Sequence, residues 1–322
     1  MQMEFRLAQS EPFMEGMTRL VHEQIDRALK ELSVRPIDPV SGPHQVRKRC
    51  KKIRALIRLA KTGMKNRRTY QQENRRLRDA ARMLSDIRDA QVMIETYDHL
   101  MAVLPHGLDR RAFGPIRRQL SQQFQRRLHT TPTLDIVFRE IQAGLEKGRQ
   151  RISDDMLDGC QETALYTGLK TTYAKASHCM SAAFTRPTDN GFHEWRKHVK
   201  YHWYHCRLLR DAWNPVLSKR CDELHDLEEY LGEDHDLGVF EKLLVEPHGE
   251  RHSSASPFNP LLVTIRKRKH ILRRAVRQSG CRLFVESPNA FSKRMCSYWK
   301  IWIQESPRAR ETREQSEHAP GL

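Results

Sequence analysis

The sequence lacks several of the patterns by which enzymes and membrane proteins are most easily identified. It has no P-loop, no Gly-x-Gly-x-x-Gly and no Gly-x-Ser-x-Gly motif, which excludes the common nucleotide-binding and serine-hydrolase signatures. No apolar run approaches the length of about 18 residues that suggests a membrane-spanning helix. The N-terminal residues also lack the apolar core of a signal peptide. We therefore expect a cytoplasmic protein that crosses no membrane.

Paired cysteines and alternating apolar residues are also missing. The seven cysteines are scattered singly, which is typical of reduced thiols and excludes a disulfide framework. No stretch shows strict period-two alternation, so the sequence gives no sign of β-strands.

What the sequence has instead is apolar residues at helical spacing. Val46, Cys50, Ile53, Ile57 and Ala60 follow one another at steps of four, three, four and three, the seam of a buried helix face. This periodicity predicts an all-α fold. The predicted helices cover residues 11–33, 44–62, 71–103, 107–129, 133–151, 155–184, 191–212, 216–245, 259–279 and 288–304.

Segments of the first half of the chain recur in the second half. "HQVRKRCKKIRALIRLAK" at 44 matches "HEWRKHVKYHWYHCRLLR" at 193, and "LSDIRDAQVMI" at 84 matches "LGEDHDLGVFE" at 231. Further on, Arg126 and Arg127 fall opposite Arg273 and Arg274. Because the offsets are 149, 147 and 147 residues, we interpret the chain as a duplicated helical unit with two pseudo-symmetric halves.

Positive charge is concentrated in four stretches. Residues 44–58, 110–127, 193–210 and 261–280 carry net charges of +7, +6, +4 and +7, against +17 for the whole chain. The remainder is therefore net negative. Like charges one turn apart repel, so such stretches indicate an anionic partner rather than a general solubility coat.

The basic residues share equivalent helix faces in the two halves, and symmetric packing would turn these faces towards one cleft. The first face consists of His44, Arg47, Lys48, Lys51 and Arg58, flanked by Lys52 and Arg54. Its echo consists of His193, Arg196, Lys197, Lys200 and Arg207. The other two basic stretches add Arg117, Arg118, Arg126, Arg127, Arg266, Lys269, Arg273 and Arg274 as candidate ligands of an anion.

His44 and His193 fall in the first turn of their predicted helices, where free N–H groups favour phosphate. Ser41 and either Asp189 or Asn190 are plausible caps.

Two other functions remain open from the residues. Trp195, Tyr201, Trp203 and Tyr204 interleave with basic residues, as in proteins that bind single-stranded nucleic acid. His235-Asp236 is a dipeptide found in metal-dependent phosphohydrolases, although Arg88-Asp89 at the equivalent place favours a structural role in which Asp89 and Asp236 hold a basic side chain. The helical spacing of His198, His202 and His205 suits zinc but lacks a further ligand. We expect no metal, no cofactor and no catalytic set.

These paired His-x-x-Arg-Lys-x-x-Lys helices, with "LRDAARMLSDIRDAQVMIET" and its echo, resemble the CHAD family (conserved histidine α-helical domain) over about residues 8–304. The resemblance implies two pseudo-symmetric four-helix bundles around a basic central cavity that binds inorganic polyphosphate without catalysis. It also implies recruitment to polyphosphate granules. His44, Arg47, Lys48 and Lys51 fit the first motif of the family, and His193, Arg196, Lys197 and Lys200 fit the second. Tyr201, Trp203 and His235 depart from the repeat, so the halves need not contribute equally.

We therefore expect one CHAD domain over residues 1–304. Within it we place repeat one at about 8–130, connecting helices at about 131–185 and repeat two at about 186–304. A polar, disordered tail is expected over 305–322.

Overall fold

The fold is built from α-helices, as the apolar spacing predicts. The computed structural model describes residues 5–34, 38–104, 110–129, 134–155, 161–245 and 258–306, and contains no β-strand among them. The all-α prediction is confirmed. The helices are α1 (Phe13–Ser33), α2 (Ser41–Leu59), α3 (Arg67–Met83), α4 (Ser85–Val103), α5 (Gly114–His129), α6 (Leu134–Asp155), α7 (Gln161–Thr185), α8 (Asp189–Leu208), α9 (Asn214–Val245), α10 (Asn259–Leu283) and α11 (Pro288–Gln304).

One predicted helix is two helices in the structure. The prediction over 71–103 continues through Leu84, where the backbone leaves helical geometry (φ −99°, ψ 11°) and separates α3 from α4. The apolar spacing runs on across this break because Leu84 is itself buried in the core. In the second half the equivalent Leu231 lies inside the unbroken helix α9.

The helices pack in three groups. In the first group α1 contacts α2 and α6, and α3 contacts the same two helices. In the second group α8 lies between α7 and α9, while α11 contacts α7. The last part of α9 packs with α4, α5 and α10 around a separate apolar cluster that includes Tyr97, Phe113 and Phe240.

The packing places α6 with the first group and α7 with the second, although residues 131–185 were predicted to connect the repeats. We propose a repeat boundary between α6 and α7.

A close helix crossing joins the two groups. Gly168 of α7 lies against the end of α2, and a Cβ atom at Gly168 would lie 2.2 Å from the carbonyl oxygen of Leu59. Only glycine permits this backbone approach. The crossing fixes α2 of the first group against the second group.

No helix among the described residues is both long and apolar enough to cross a membrane. The six described cysteines are free thiols; the seventh, Cys160, lies outside the described residues. Most of the predicted polar tail, from residue 307 onward, also lies outside them.

Candidate binding cavity

A large basic cavity lies where α2, α4, α5, α8 and α9 meet. Its volume is about 1170 Å³. Nine Lys and Arg side chains and only four carboxylates line it, a net charge of +5 with histidines neutral. The cations are Arg47, Lys48, Lys51, Arg88, Arg127, Arg196, Lys200, Arg207 and Arg210. We call this space, with these residues and the four carboxylates Asp89, Asp222, Glu228 and Asp236, the basic cavity.

The structure brings candidate residues from both halves of the sequence into this one space. α2 contributes four candidates and α8 contributes four, so Arg47 and Arg196 face a shared cavity rather than opposite outer surfaces. The candidates that line it are His44, Arg47, Lys48, Lys51, Arg127, His193, Arg196, Lys200 and Arg207.

The remaining candidates do not line the cavity. They are Lys52, Arg54, Arg58, Arg117, Arg118, Arg126, Lys197, Arg266, Lys269, Arg273 and Arg274.

On α2 the excluded candidates are held elsewhere by other groups. Lys52 lies over the ring of Phe5 at 4.7 Å, and Arg54 donates to Asn74 at 3.0 Å. Arg58 shares the face of Lys51 but lies seven residues, about 10.5 Å, further along the helix, where it stacks on Tyr201.

On α10, three of the four candidates are neutralised by carboxylates at the start of α8 and along α9. Arg266 pairs with Glu241 at 2.7 Å, and Lys269 contacts Asp189 and Glu241 at 3.0 Å each. Arg273 donates to Asp234 at 2.8 Å and to Asp189 at 2.6 Å. The high charge of this stretch therefore serves ion pairs rather than the cavity.

The other excluded candidates lie on α5, α8 and α10. Arg117 pairs with Asp98 at 2.8 Å and Lys197 with Glu194 at 2.9 Å. Arg118, Arg126 and Arg274 are exposed outside the cavity.

Sequence reasoning missed several residues that line the cavity, notably Arg88, Arg210, His225 and His235. A signal existed for two of them, because Arg88 and His235 occupy equivalent positions in the repeat. It also missed the carboxylate Glu228, which no motif marks.

Arg47 and Arg196 occupy equivalent positions but make different contacts. Arg47 donates to the carbonyl oxygen of Ser85 at 3.4 Å and to Asp89 at 3.3 Å. Arg196 lies across Gly232, the residue equivalent to Ser85, where a Cβ atom would come within 2.8 Å of its guanidinium. Its Nε donates to Glu228 at 3.0 Å. Asp89 thus holds a basic side chain, as predicted for both aspartates.

Asp236 makes a different contact from the one predicted. It lies 2.9 Å from Nδ1 of His235, and the His235 ring lies 4.5 Å from the His193 ring, centroid to centroid. Burial, and then His235, lower the pKa of His193 to about 4. Burial and nearby cations, Arg88 first, lower the pKa of His44. A bound anion would favour the protonated form of both histidines.

The two helix starts are capped by other residues than those predicted. The Thr188 hydroxyl accepts from the Gly191 N–H at 3.1 Å, and the Asp38 carboxylate accepts from the N–H groups of Val40 and Ser41. His44 and His193 still fall within the first five residues of α2 and α8.

The pKa of Lys51, a lysine that lines the cavity, is strongly lowered by its surroundings. Burial, and then Lys200, Arg47 and Arg196, lower its pKa to about 7, while Glu228 opposes the shift. Burial also lowers the pKa of Lys200. These cations repel one another in the free protein, and an anion between them would remove that repulsion.

The structure gives two of the three histidines considered as zinc ligands surroundings in the core. His202 and His205 are fully buried, His202 beside Tyr173 and Phe291, and His205 with its Nε2 2.9 Å from the Ala55 carbonyl oxygen. Within the part of the chain that the structure describes, no three or more His, Cys, Asp or Glu side chains are grouped to hold a metal ion.

Comparison with known proteins identifies the class. The family model described as CHAD domain matches residues 19–245, so this chain belongs to the CHAD domain family. No curated protein matches it.

Two solved structures share the fold. One is PptA from Streptomyces chartreusis, with a TM-score of 0.60 and 16% identity, covering 86% of this chain and 100% of that one. The other is the CHAD domain from the plant Ricinus communis, with a TM-score of 0.55 and 16% identity, covering 87% of this chain and 94% of that one.

Proposed function

We propose that this protein binds inorganic polyphosphate in the basic cavity without changing it chemically. The observation that supports this most is the convergence of nine Lys and Arg side chains from both halves on one cavity of about 1170 Å³. A water molecule in the liquid occupies about 30 Å³, so the cavity has room for a chain of phosphate groups. Recruitment to polyphosphate granules in the cell would follow from such binding.

The cavity fits a phosphate chain better than a nucleic acid. Single-strand binders offer aromatic faces on which bases stack. Trp195, Tyr201 and Tyr204 are buried in the core. Trp203 and Tyr204 both line the cavity, but Tyr204 is only 2% exposed, and the Trp203 ring already stacks on His225 at 4.9 Å and lies 5.1 Å from the Arg207 guanidinium.

Competition between polyphosphate and RNA tests which of the two polyanions the cavity prefers. Protein loaded with fluorescent single-stranded RNA is titrated with long-chain polyphosphate, and the reverse titration is run at the same salt concentration. We expect polyphosphate to displace RNA at a much lower phosphate concentration than RNA displaces polyphosphate. Equal or better displacement by RNA would overturn the proposal.

A phosphate-release assay tests the non-catalytic part. The protein is incubated with long-chain polyphosphate and Mg²⁺ or Mn²⁺, and free phosphate is measured. We expect no release above the rate without protein. Release that disappears in the His235→Ala variant would instead assign a hydrolase.

A further inference from the structure

Glu228 differs from the other carboxylates of the basic cavity because it is buried among the cations. Its side chain is 6% exposed, whereas Asp89 is 58% exposed and Asp222 is exposed on α9. An acidic group deep in a site of positive potential requires an explanation.

The Glu228 carboxylate bridges two cations of α8 that line the cavity. One of its oxygens, Oε1, accepts from Lys200 Nζ at 2.7 Å and from Arg196 Nε at 3.0 Å. Burial by itself would raise the pKa of this carboxyl, but Lys200, Arg196 and Lys51 outweigh burial and lower it. Glu228 therefore carries its negative charge at neutral pH.

Glu228 also has no counterpart in the first half. The repeat offset of 147 residues places Ala81 at the equivalent position. The two halves thus present similar cations, but one half adds a fixed anion.

We propose that Glu228 occupies the position of a phosphate group whenever no anion is bound and thereby sets which anions can bind. This inference rests on the proposed function. An incoming phosphate oxygen has to take the place of Glu228 at Lys200 and Arg196, at a fixed cost in free energy. A short anion gains too few other contacts to offset this cost, whereas a long chain also reaches Lys48, Arg127 and Arg207.

The Glu228→Gln variant tests the inference because it keeps the shape of the side chain and removes the charge. Affinities of wild type and variant are measured by calorimetry for pyrophosphate, tripolyphosphate and long-chain polyphosphate. We expect Glu228→Gln to bind tripolyphosphate at least about tenfold more tightly, the effect of removing one close charge–charge repulsion. The shortest chain that binds measurably becomes shorter.

A matched control separates this local effect from net charge. Glu223→Gln makes the same charge change on the same helix, but Glu223 pairs with Lys219 outside the cavity. We expect it to change the affinity by less than about twofold. An equal gain in affinity in Glu223→Gln would overturn the specific role of Glu228.

If Glu228→Gln binds no more tightly, or more weakly, than wild type, Glu228 positions Arg196 and Lys200 and the inference is overturned while the proposed function stands. If wild type itself does not bind long-chain polyphosphate, both fail.

A crystal structure of wild type with tripolyphosphate tests the inference without any variant. We expect a phosphate oxygen at Lys200 Nζ and Glu228 turned away. Unchanged contacts of Glu228 to Lys200 and Arg196, with phosphate bound, would contradict it.

Discussion

At the scale of single residues, the neighbouring lysines Lys51 and Lys52 of α2 have different surroundings and different expected roles. The pKa of each is lowered to about 7, and in each case burial is the largest cause. Only Lys51 lines the basic cavity; Lys52 lies over Phe5. The pair therefore offers a test of the cavity with a built-in control.

Polyphosphate affinity should depend on pH through Lys51. A bound anion favours the charged ammonium and raises the pKa of Lys51, so binding takes up a proton. Affinity should fall as pH rises from about 6.5 to 8.5, because the free protein loses the Lys51 proton over this range. Calorimetry in buffers of different ionisation enthalpy measures the uptake.

The Lys51→Met variant should lose most of this uptake near pH 7.5, and Lys52→Met should keep it. Loss of uptake in Lys52→Met alone would show that the cavity has been assigned to the wrong lysine.

Lys52, which lies outside the cavity, should affect stability without affecting binding. Its pKa is about 7 in the folded protein and near 10.5 in the unfolded chain, so the unfolded chain binds more protons between these values. Stability therefore rises with pH in that window. The free energy of unfolding of wild type minus that of Lys52→Met should increase from about pH 7 to 9.5, measured by urea denaturation. A constant difference would contradict the lowered pKa.

At the scale of elements, the crossing of α7 and α2 holds the two groups of helices together. Gly168→Ala should destabilise the protein by about 1–3 kcal/mol, the usual cost of overpacking, since the added Cβ would meet the Leu59 carbonyl oxygen. Gly114→Ala on α5 is the matched control, because no atom lies within 4 Å of its Cβ position. Thermal unfolding checks both. Equal melting temperatures for Gly168→Ala and wild type would mean that this crossing is not tightly packed.

The elements also show how far the sequence predicts the site. The repeat at His44 and His193 identified α2 and α8, because a basic face stands out at helical spacing. The repeat could not show that side chains of α5 line the cavity and that those of α10 do not. That difference depends on Asp189, Asp234 and Glu241, which lie up to 84 residues from their partners on α10.

The break between α3 and α4 could not be predicted from the apolar pattern either. Apolar spacing through Leu84 fits one helix as well as two. The role of Glu228 was hidden for a similar reason, since a single Glu on a helix rich in acidic residues is normally a solvated side chain.

At the scale of the whole molecule, charge concentration should dominate binding. Nine cavity cations oppose four carboxylates, so a polyphosphate chain would release many condensed counterions on entering. By analogy with single-stranded nucleic acid, log affinity should fall by about 0.7 per phosphate neutralised for each unit of log salt concentration. Titrations between about 50 and 200 mM salt measure this slope. A slope near zero would contradict an electrostatic site.

The central claim is that the cavity, and not the basic surface in general, binds polyphosphate. The most direct measurement compares two double variants with equal charge loss. Lys48→Gln with Arg207→Gln removes one cavity cation from each half, and Arg118→Gln with Arg274→Gln removes two exposed cations outside the cavity. In long-chain polyphosphate titrations the cavity variant should bind at least about tenfold more weakly, with a salt slope smaller by about 1.4, while the surface variant stays near wild type. Equal losses in the two variants would contradict the account.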